Sequence, residues 1–183
     1  MSPGVCRQHP AAHGLGDDPI RCNSAKQPLA AKVMAKDSKR GPVMEWTGGC
    51  LCGAVRYRAT ADPIRAVHCH CGMCRRTSGA AVLTHVHFPI EAFTWIEGRP
   101  TRYRSSSEAE RGFCERCGSS LTMHETVLDD RVQVTLGSLD RPQNVRPDDH
   151  VWTESQLPWL RIDDDLPRFP RVSSAVPSRA LEE

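Results

Sequence analysis

The sequence lacks any long apolar run and any strong excess of charge. No stretch of its 183 residues approaches the roughly 20 apolar residues that span a bilayer, and its N-terminus lacks the basic-then-apolar pattern of a secretory signal. We therefore expect a cytoplasmic protein without a membrane partner. The formal net charge is only +2, so the charge balance does not indicate a nucleic-acid partner either.

The composition divides the chain into three predicted regions. Residues 1–43 carry scattered prolines and no sustained apolar period, which predicts a disordered extension. Because Met34 and Met44 lie near its end, a start site assigned too far upstream would also explain this segment. Residues 44–170 are expected to form one domain and residues 171–183 a loose tail.

Short runs of alternating apolar and polar residues predict strands in the middle of the chain. Each such run can bury one face and expose the other, as in an antiparallel sheet. We therefore predict a mostly β fold of short antiparallel strands with few helical turns. The strand candidates are residues 55–59, 82–88, 101–105, 112–114, 120–124 and 132–136.

The segment 139–169 is rich in proline and aspartate, and we expect it to lie as an irregular strap over the sheets. Trp152 and Trp159 are predicted to pack, because large aromatic side chains usually do so. The acidic run Asp163–Asp165 is expected to be solvated.

Nine cysteines are the most informative feature of the composition. In a reducing compartment they indicate metal ligands or reactive thiols before disulfides, and their odd number does not suit complete pairing. Cys6 and Cys22 lie in the predicted extension and are expected to be incidental. The other seven fall into three short motifs, within each of which the cysteines are close in sequence.

Two of these motifs are a C-x-C pair and a C-x-x-C pair, each next to glycine. Two such pairs, distant in sequence, are the usual components of a tetrahedral four-cysteine zinc site, and glycine allows the tight turns that such a site requires. We predict a structural zinc bound by four residues, namely Cys50, Cys52, Cys114 and Cys117.

The third motif places Cys69, Cys71 and Cys74 within one loop, so a single metal should take all three. Three protein ligands with an open fourth position are typical of catalytic zinc. Alternatively, His68 or His70 completes the tetrahedron and makes this second zinc structural as well. Iron–sulfur ligation is disfavoured, because the usual cluster spacings are absent.

An open zinc with three thiolates favours a soft ligand, so a substrate thiol is the expected partner. Arg75 and Arg76 follow Cys74 and are candidates to bind a substrate carboxylate; the alternative is a solvated basic turn. His85 and His87 are candidates for acid/base groups, or else for surface or outer-shell histidines. No catalytic residue is assigned.

Several ordered motifs follow one another between about Trp46 and Phe169, namely residues 48–55, 68–76, 103–106, 113–119, 137–140, 150–155 and 158–159. Together these motifs resemble the family of glutathione-dependent formaldehyde-activating enzymes and centromere protein V.

The resemblance implies a β-tent fold with two zinc ions per chain. It also implies that the four paired cysteines bind a structural zinc and that the three-cysteine loop binds the zinc associated with activity. The family's named reaction joins glutathione to formaldehyde to give S-hydroxymethylglutathione, so a small thiol and a small aldehyde are the implied partners. The formal class is carbon–sulfur lyase. The alternative function is that of a non-catalytic, zinc-stabilised binding or scaffold protein similar to centromere protein V.

Overall fold

The computed structural model describes residues 45–172. The predicted extension 1–43, with Cys6 and Cys22, lies outside the described residues, as does the chain beyond residue 172. Within the described range, the strands are β1 (Trp46–Gly49), β2 (Arg56–Ala59), β3 (Arg65–Cys69), β4 (Leu83–Pro89), β5 (Phe93–Glu97), β6 (Thr101–Arg104), β7 (Ala109–Phe113), β8 (Ser120–Glu125), β9 (Arg131–Thr135) and β10 (Asp149–Val151). One helix, α1 (Gly72–Ser78), follows β3, and the 3-10 turns are Ile90–Ala92, Leu136–Ser138, Pro142–Asn144 and Thr153–Ser155.

The strands form two sheets. The smaller sheet has the order β1-β2-β5, and the larger has the order β10-β3-β4-β9-β8-β7-β6. Neighbouring strands are antiparallel except β10, which pairs with β3 in parallel. The prediction of a mostly β fold with short antiparallel strands and few helical turns is confirmed.

The main hydrophobic core lies where the two sheets face each other. Trp46 of β1 packs on Phe88 of β4, with 6.0 Å between the ring centroids. Burial of such apolar surface is the main favourable term in folding. The buried members of this core are Trp46, Tyr57, Ala59, Ala66, Val86, Phe88, Val134 and Leu139.

Gly48 is required where β1 passes the fully buried ring of Tyr57. A Cβ at this position would lie 2.5 Å from the backbone oxygen of Ser138 and closer still to the ring and hydroxyl of Tyr57. That hydroxyl is hydrogen-bonded to the Ser138 side chain at 2.7 Å, and burial raises the pKa of Tyr57. The close approach fixes the strand that leads directly to Cys50.

The segment after β9 is largely irregular, but it carries β10 and three of the 3-10 turns. Trp152 packs against the buried cluster that contains Cys69 and Cys74. The prediction that Trp159 packs is wrong, because this side chain is 69% exposed.

Candidate metal centres

Four thiols from two distant segments meet at one end of the smaller sheet. Their sulfur atoms all lie within 4.8 Å of one another, and the residues are Cys50, Cys52, Cys114 and Cys117. The Sγ atoms of Cys50 and Cys52 are 3.5 Å apart, and those of Cys52 and Cys114 are 3.8 Å apart. The cluster therefore joins the β1–β2 turn to the β7–β8 hairpin.

Each of the two turns in this cluster closes around a glycine in the left-handed region. Gly53 has φ 79° and Gly118 has φ 73°, values that residues with a side chain rarely adopt. Within the turns, the backbone N–H of Val55 donates to Cys50 Sγ at 3.3 Å. The hydroxyl of Ser119 lies 3.2 Å from Cys117 Sγ, and this hydrogen bond lowers the pKa of Cys117 to about 6. The turns thus favour thiolates at Cys50 and Cys117, whose pKa values are both lowered.

The four-thiol cluster fits a tetrahedral metal ion. Zn–S bonds of about 2.3 Å place the sulfurs of a tetrahedral site about 3.8 Å apart. The two sulfur–sulfur distances given above are close to that value. All seven cysteines in the described part of the chain are free thiols, so none is committed to a disulfide.

The second cluster is formed by Cys69, Cys71 and Cys74, whose sulfur atoms lie within 4.8 Å of one another. Cys69 ends β3, and Cys71 is the N-cap of α1, where its sulfur accepts the backbone N–H of Cys74 at 3.3 Å. Cys74 is 1% exposed in the first turn of α1. The change from strand to helix within this short loop brings the three thiols to one point.

Close contact between these three thiols hinders the ionisation of all three at once. The thiols of Cys69 and Cys74 stabilise the thiolate of Cys71 by hydrogen bonding and lower its pKa to about 2. The same interaction with Cys71 raises the pKa of Cys69 well above the usual range. Without a metal, the three sulfurs therefore share protons instead of carrying three charges. A divalent cation would remove this penalty.

Two nitrogen groups from the larger sheet approach the sulfur of Cys74. Nε2 of His85 lies 3.4 Å from Cys74 Sγ, and a guanidinium nitrogen of Arg111 donates to the same sulfur at 3.6 Å. Both side chains are buried, and burial lowers the pKa of His85 to about 4, so its ring is neutral at pH 7. Sequence reasoning weighed His85 but missed Arg111, because one arginine in a short strand carries no local signal.

His68 and His70, the two predicted alternatives for a fourth ligand, lie in or beside the thiol loop, but their rings have other partners. Among the described residues, the close set of ligand atoms that contains the three thiols includes neither histidine. His70 is hydrogen-bonded to His150, and His68 belongs to a separate group with His150 and Asp164. The expectation that Asp163–Asp165 is a solvated run is therefore wrong for Asp164, which contacts the buried His150.

The two arginines after Cys74 differ in their surroundings. The guanidinium of Arg75 donates to the backbone oxygens of His70 and Ser155 and so holds the thiol loop against the strap. Arg76 is exposed on α1. Their predicted role in substrate binding stays a prediction.

Comparison with known proteins shows which family this chain is similar to. Residues 45–155 match the family model described as glutathione-dependent formaldehyde-activating enzyme, which confirms the resemblance in the sequence motifs. A Halomonas elongata protein named "Putative glutathione-dependent formaldehyde-activating enzyme" is 27% identical over 126 residues, 63% of this chain and 80% of that protein.

Two further similar proteins cover less of this chain. An uncharacterized lyase of Schizosaccharomyces pombe is 33% identical over 85 residues, which are 42% of this chain and 56% of that protein. A crystal structure of a Rhodobacter sphaeroides protein is similar with 24% identity and a TM-score of 0.44, over 55% of this chain and 91% of that one. No helix among residues 45–172 is both long and apolar enough to cross a membrane.

Proposed function

The chain belongs to the glutathione-dependent formaldehyde-activating enzyme family, and from this premise we propose that it is a zinc-dependent enzyme of the carbon–sulfur lyase type. Its substrates are a glutathione-like thiol and a small aldehyde such as formaldehyde. The thiol sulfur attacks the carbonyl carbon, the new C–S bond replaces the C=O π bond, and the thiol proton ends on the oxygen. The product with glutathione is S-hydroxymethylglutathione.

The observation that carries this proposal is the three-thiol cluster of Cys69, Cys71 and Cys74. Among residues 45–172, no fourth side chain joins the close set of ligand atoms there, so one position is left for a substrate. The four-thiol cluster offers a complete tetrahedron and is assigned a structural zinc, which gives two zinc ions per chain. When bound at the open cluster, zinc acts as a Lewis acid and lowers the pKa of a coordinated thiol.

Arg111 and His85 stabilise the thiolate form of Cys74 in this proposal. Three thiolates outweigh a divalent cation by one negative charge, which the guanidinium of Arg111 balances through its contact with Cys74. His85 donates its Nε2 hydrogen to the same sulfur, so it stabilises the thiolate without carrying charge. Both groups favour the ionised ligand that a metal needs.

We assign the binding of a substrate carboxylate to Arg76 in preference to Arg75. Arg76 is exposed, whereas Arg75 already donates hydrogen bonds to two backbone oxygens. An arginine fork suits a carboxylate such as those of glutathione. We further propose a cytoplasmic location, where glutathione is abundant, and a catalytic domain over residues 44–170.

Exchange NMR of glutathione with formaldehyde tests the proposed function. The zinc-loaded protein is expected to raise the rate of adduct exchange above the spontaneous rate measured in the same buffer. No acceleration would favour the alternative, a zinc-stabilised scaffold protein, unless a screen of other small thiols gives one. A boiled sample and free Zn²⁺ at the same concentration are the matched controls.

A further inference from the structure

A third group of metal-ligating side chains lies beside the thiol loop and takes no part in the proposed reaction. It consists of His68 on β3, His150 on β10 and Asp164 in the strap, and one ligand atom of each lies within 4.8 Å of the others. These residues come from three separate segments. Their convergence is therefore a product of the tertiary fold.

The outer nitrogens of the two histidines are already engaged. Nδ1 of His68 is hydrogen-bonded to the Thr84 hydroxyl at 2.8 Å, and Nδ1 of His150 is hydrogen-bonded to Nε2 of His70 at 2.8 Å. Metal-ligating histidines have this arrangement, in which one ring nitrogen is held by an outer partner and the other keeps its lone pair for the metal. Nε2 of His68 is thus left for an ion, and Nε2 of His150 faces the Asp164 carboxylate, so an ion would take the place of the His150–Asp164 hydrogen bond.

The carboxylate of Asp164 supplies the third ligand. Its two oxygens each lie 3.0 Å from Nε2 of His150, which is fully buried. His68 and Asp164 are only partly buried, so their side chains have room for small rotations and solvent can reach the remaining coordination positions. Arg168 also lies 3.4 Å from one Asp164 oxygen, and its charge opposes cation binding there.

We propose that His68, His150 and Asp164 form a third metal site that takes a first-row divalent cation such as Zn²⁺. Two imidazoles and one carboxylate are ligands that suit such ions, and they leave open positions for water. The ion joins β3 and β10 to the later part of the strap, around Asp164. The ion therefore stabilises the strap near Trp152 and Ser155. This part of the strap contacts the thiol loop, because Trp152 packs against the cluster that contains Cys69 and Cys74 and the Ser155 backbone oxygen accepts a hydrogen bond from Arg75.

Equilibrium dialysis of the full chain against buffered free Zn²⁺ tests this site. Asp164→Asn keeps an oxygen for the His150 hydrogen bond but removes the anionic ligand, and it is expected to bind one Zn²⁺ fewer than the unchanged chain. His68→Gln keeps a group that can bond Thr84 and is expected to show the same loss. Because the count is a difference, it does not depend on the occupancy of the thiol clusters or on any activity.

Arg168→Gln is the control, because it changes the neighbouring charge and keeps all three ligands. This variant is expected to bind Zn²⁺ at the third site with several-fold higher affinity than the unchanged chain. Equal zinc counts in the unchanged chain, Asp164→Asn and His68→Gln would overturn the proposal and leave His150–Asp164 as a structural hydrogen bond. Loss of the ion in Arg168→Gln would also contradict it. Circular dichroism shows whether each variant is folded, and a misfolded variant leaves the other to decide.

Discussion

Replacement of Gly48 by alanine tests the close passage of β1 over Tyr57. The added methyl group would overlap the ring and hydroxyl of Tyr57 and the backbone oxygen of Ser138. The ring has little freedom to move, because Tyr57 is fully buried and its centroid lies 5.2 Å from that of Phe93 and 5.8 Å from that of Trp95. We therefore expect strain or loss of the hydroxyl contact, with no simple relaxation available.

The magnitude follows from three contributions. Overpacking a core costs about 1–3 kcal/mol and a buried hydroxyl left without its partner about 1–3 kcal/mol, while alanine gains about 0.4–1 kcal/mol through the unfolded chain. The expected net loss for Gly48→Ala is about 2–4 kcal/mol in the free energy of unfolding.

Urea unfolding of the zinc-loaded protein measures this loss as a lower midpoint with an unchanged slope. The matched control is Gly137→Ala, since a Cβ there meets nothing within 4 Å and its φ is not positive. That variant should stay within about 0.5 kcal/mol of the unchanged chain. Equal stability of the two variants would refute the steric argument.

Three further predictions concern ligands and charges. Cys117→Ser is expected to lower the urea unfolding midpoint much more than Cys71→Ser. Structural zinc contributes on the order of 10 kcal/mol, whereas serine at position 71 can still cap α1. An equal fall in the midpoint of both variants, measured without chelator, would contradict the division into a structural and an open cluster. His85→Leu should weaken zinc binding at the three-thiol cluster about 10-fold in a chelator competition. His85→Gln should weaken it less, since glutamine keeps an N–H donor. Unchanged zinc affinity in both variants would show that His85 does not stabilise the Cys74 thiolate. Arg56 lowers the pKa of Asp140, so this ion pair stabilises the fold above the unfolded-state pKa of about 3.9, and its contribution falls as the pH drops below that value towards the folded one. Asp140→Asn should therefore cost under about 1 kcal/mol at pH 7 and less as the pH falls below about 3.9, and a cost that does not change with pH would argue against the pair.

The strands and the cysteine groups could be predicted because their signals are local. Alternation along residues 82–88 and 132–136 correctly indicated β4 and β9, which are neighbours in the larger sheet. The expectation that one face of each would be exposed is wrong, because the polar side chains of His85, His87 and Gln133 are buried as well. The spacing of Cys69, Cys71 and Cys74 already limits them to one loop. Two distant paired motifs are the usual components of a four-cysteine site, and the structure brings the cysteines of both predicted groups together.

The contacts of Arg111 and Asp164 could not be predicted, because they join residues far apart in sequence. Arg111 reaches Cys74 across 37 positions, and its own strand offers no pattern that distinguishes it from a surface arginine. Asp164 stands in an acidic run that is typical of solvated chain, yet it meets the buried His150. Strand β10 has only three residues, too few for a period to be recognised.

The most direct test of the central claim is exchange NMR of glutathione and formaldehyde with Cys71→Ser, together with its zinc content. The account predicts that this variant stays folded, loses one zinc ion and gives only the spontaneous exchange rate, while the unchanged chain is faster. Exchange in Cys71→Ser as fast as in the unchanged chain would contradict the claim that the three-thiol cluster is the site of reaction.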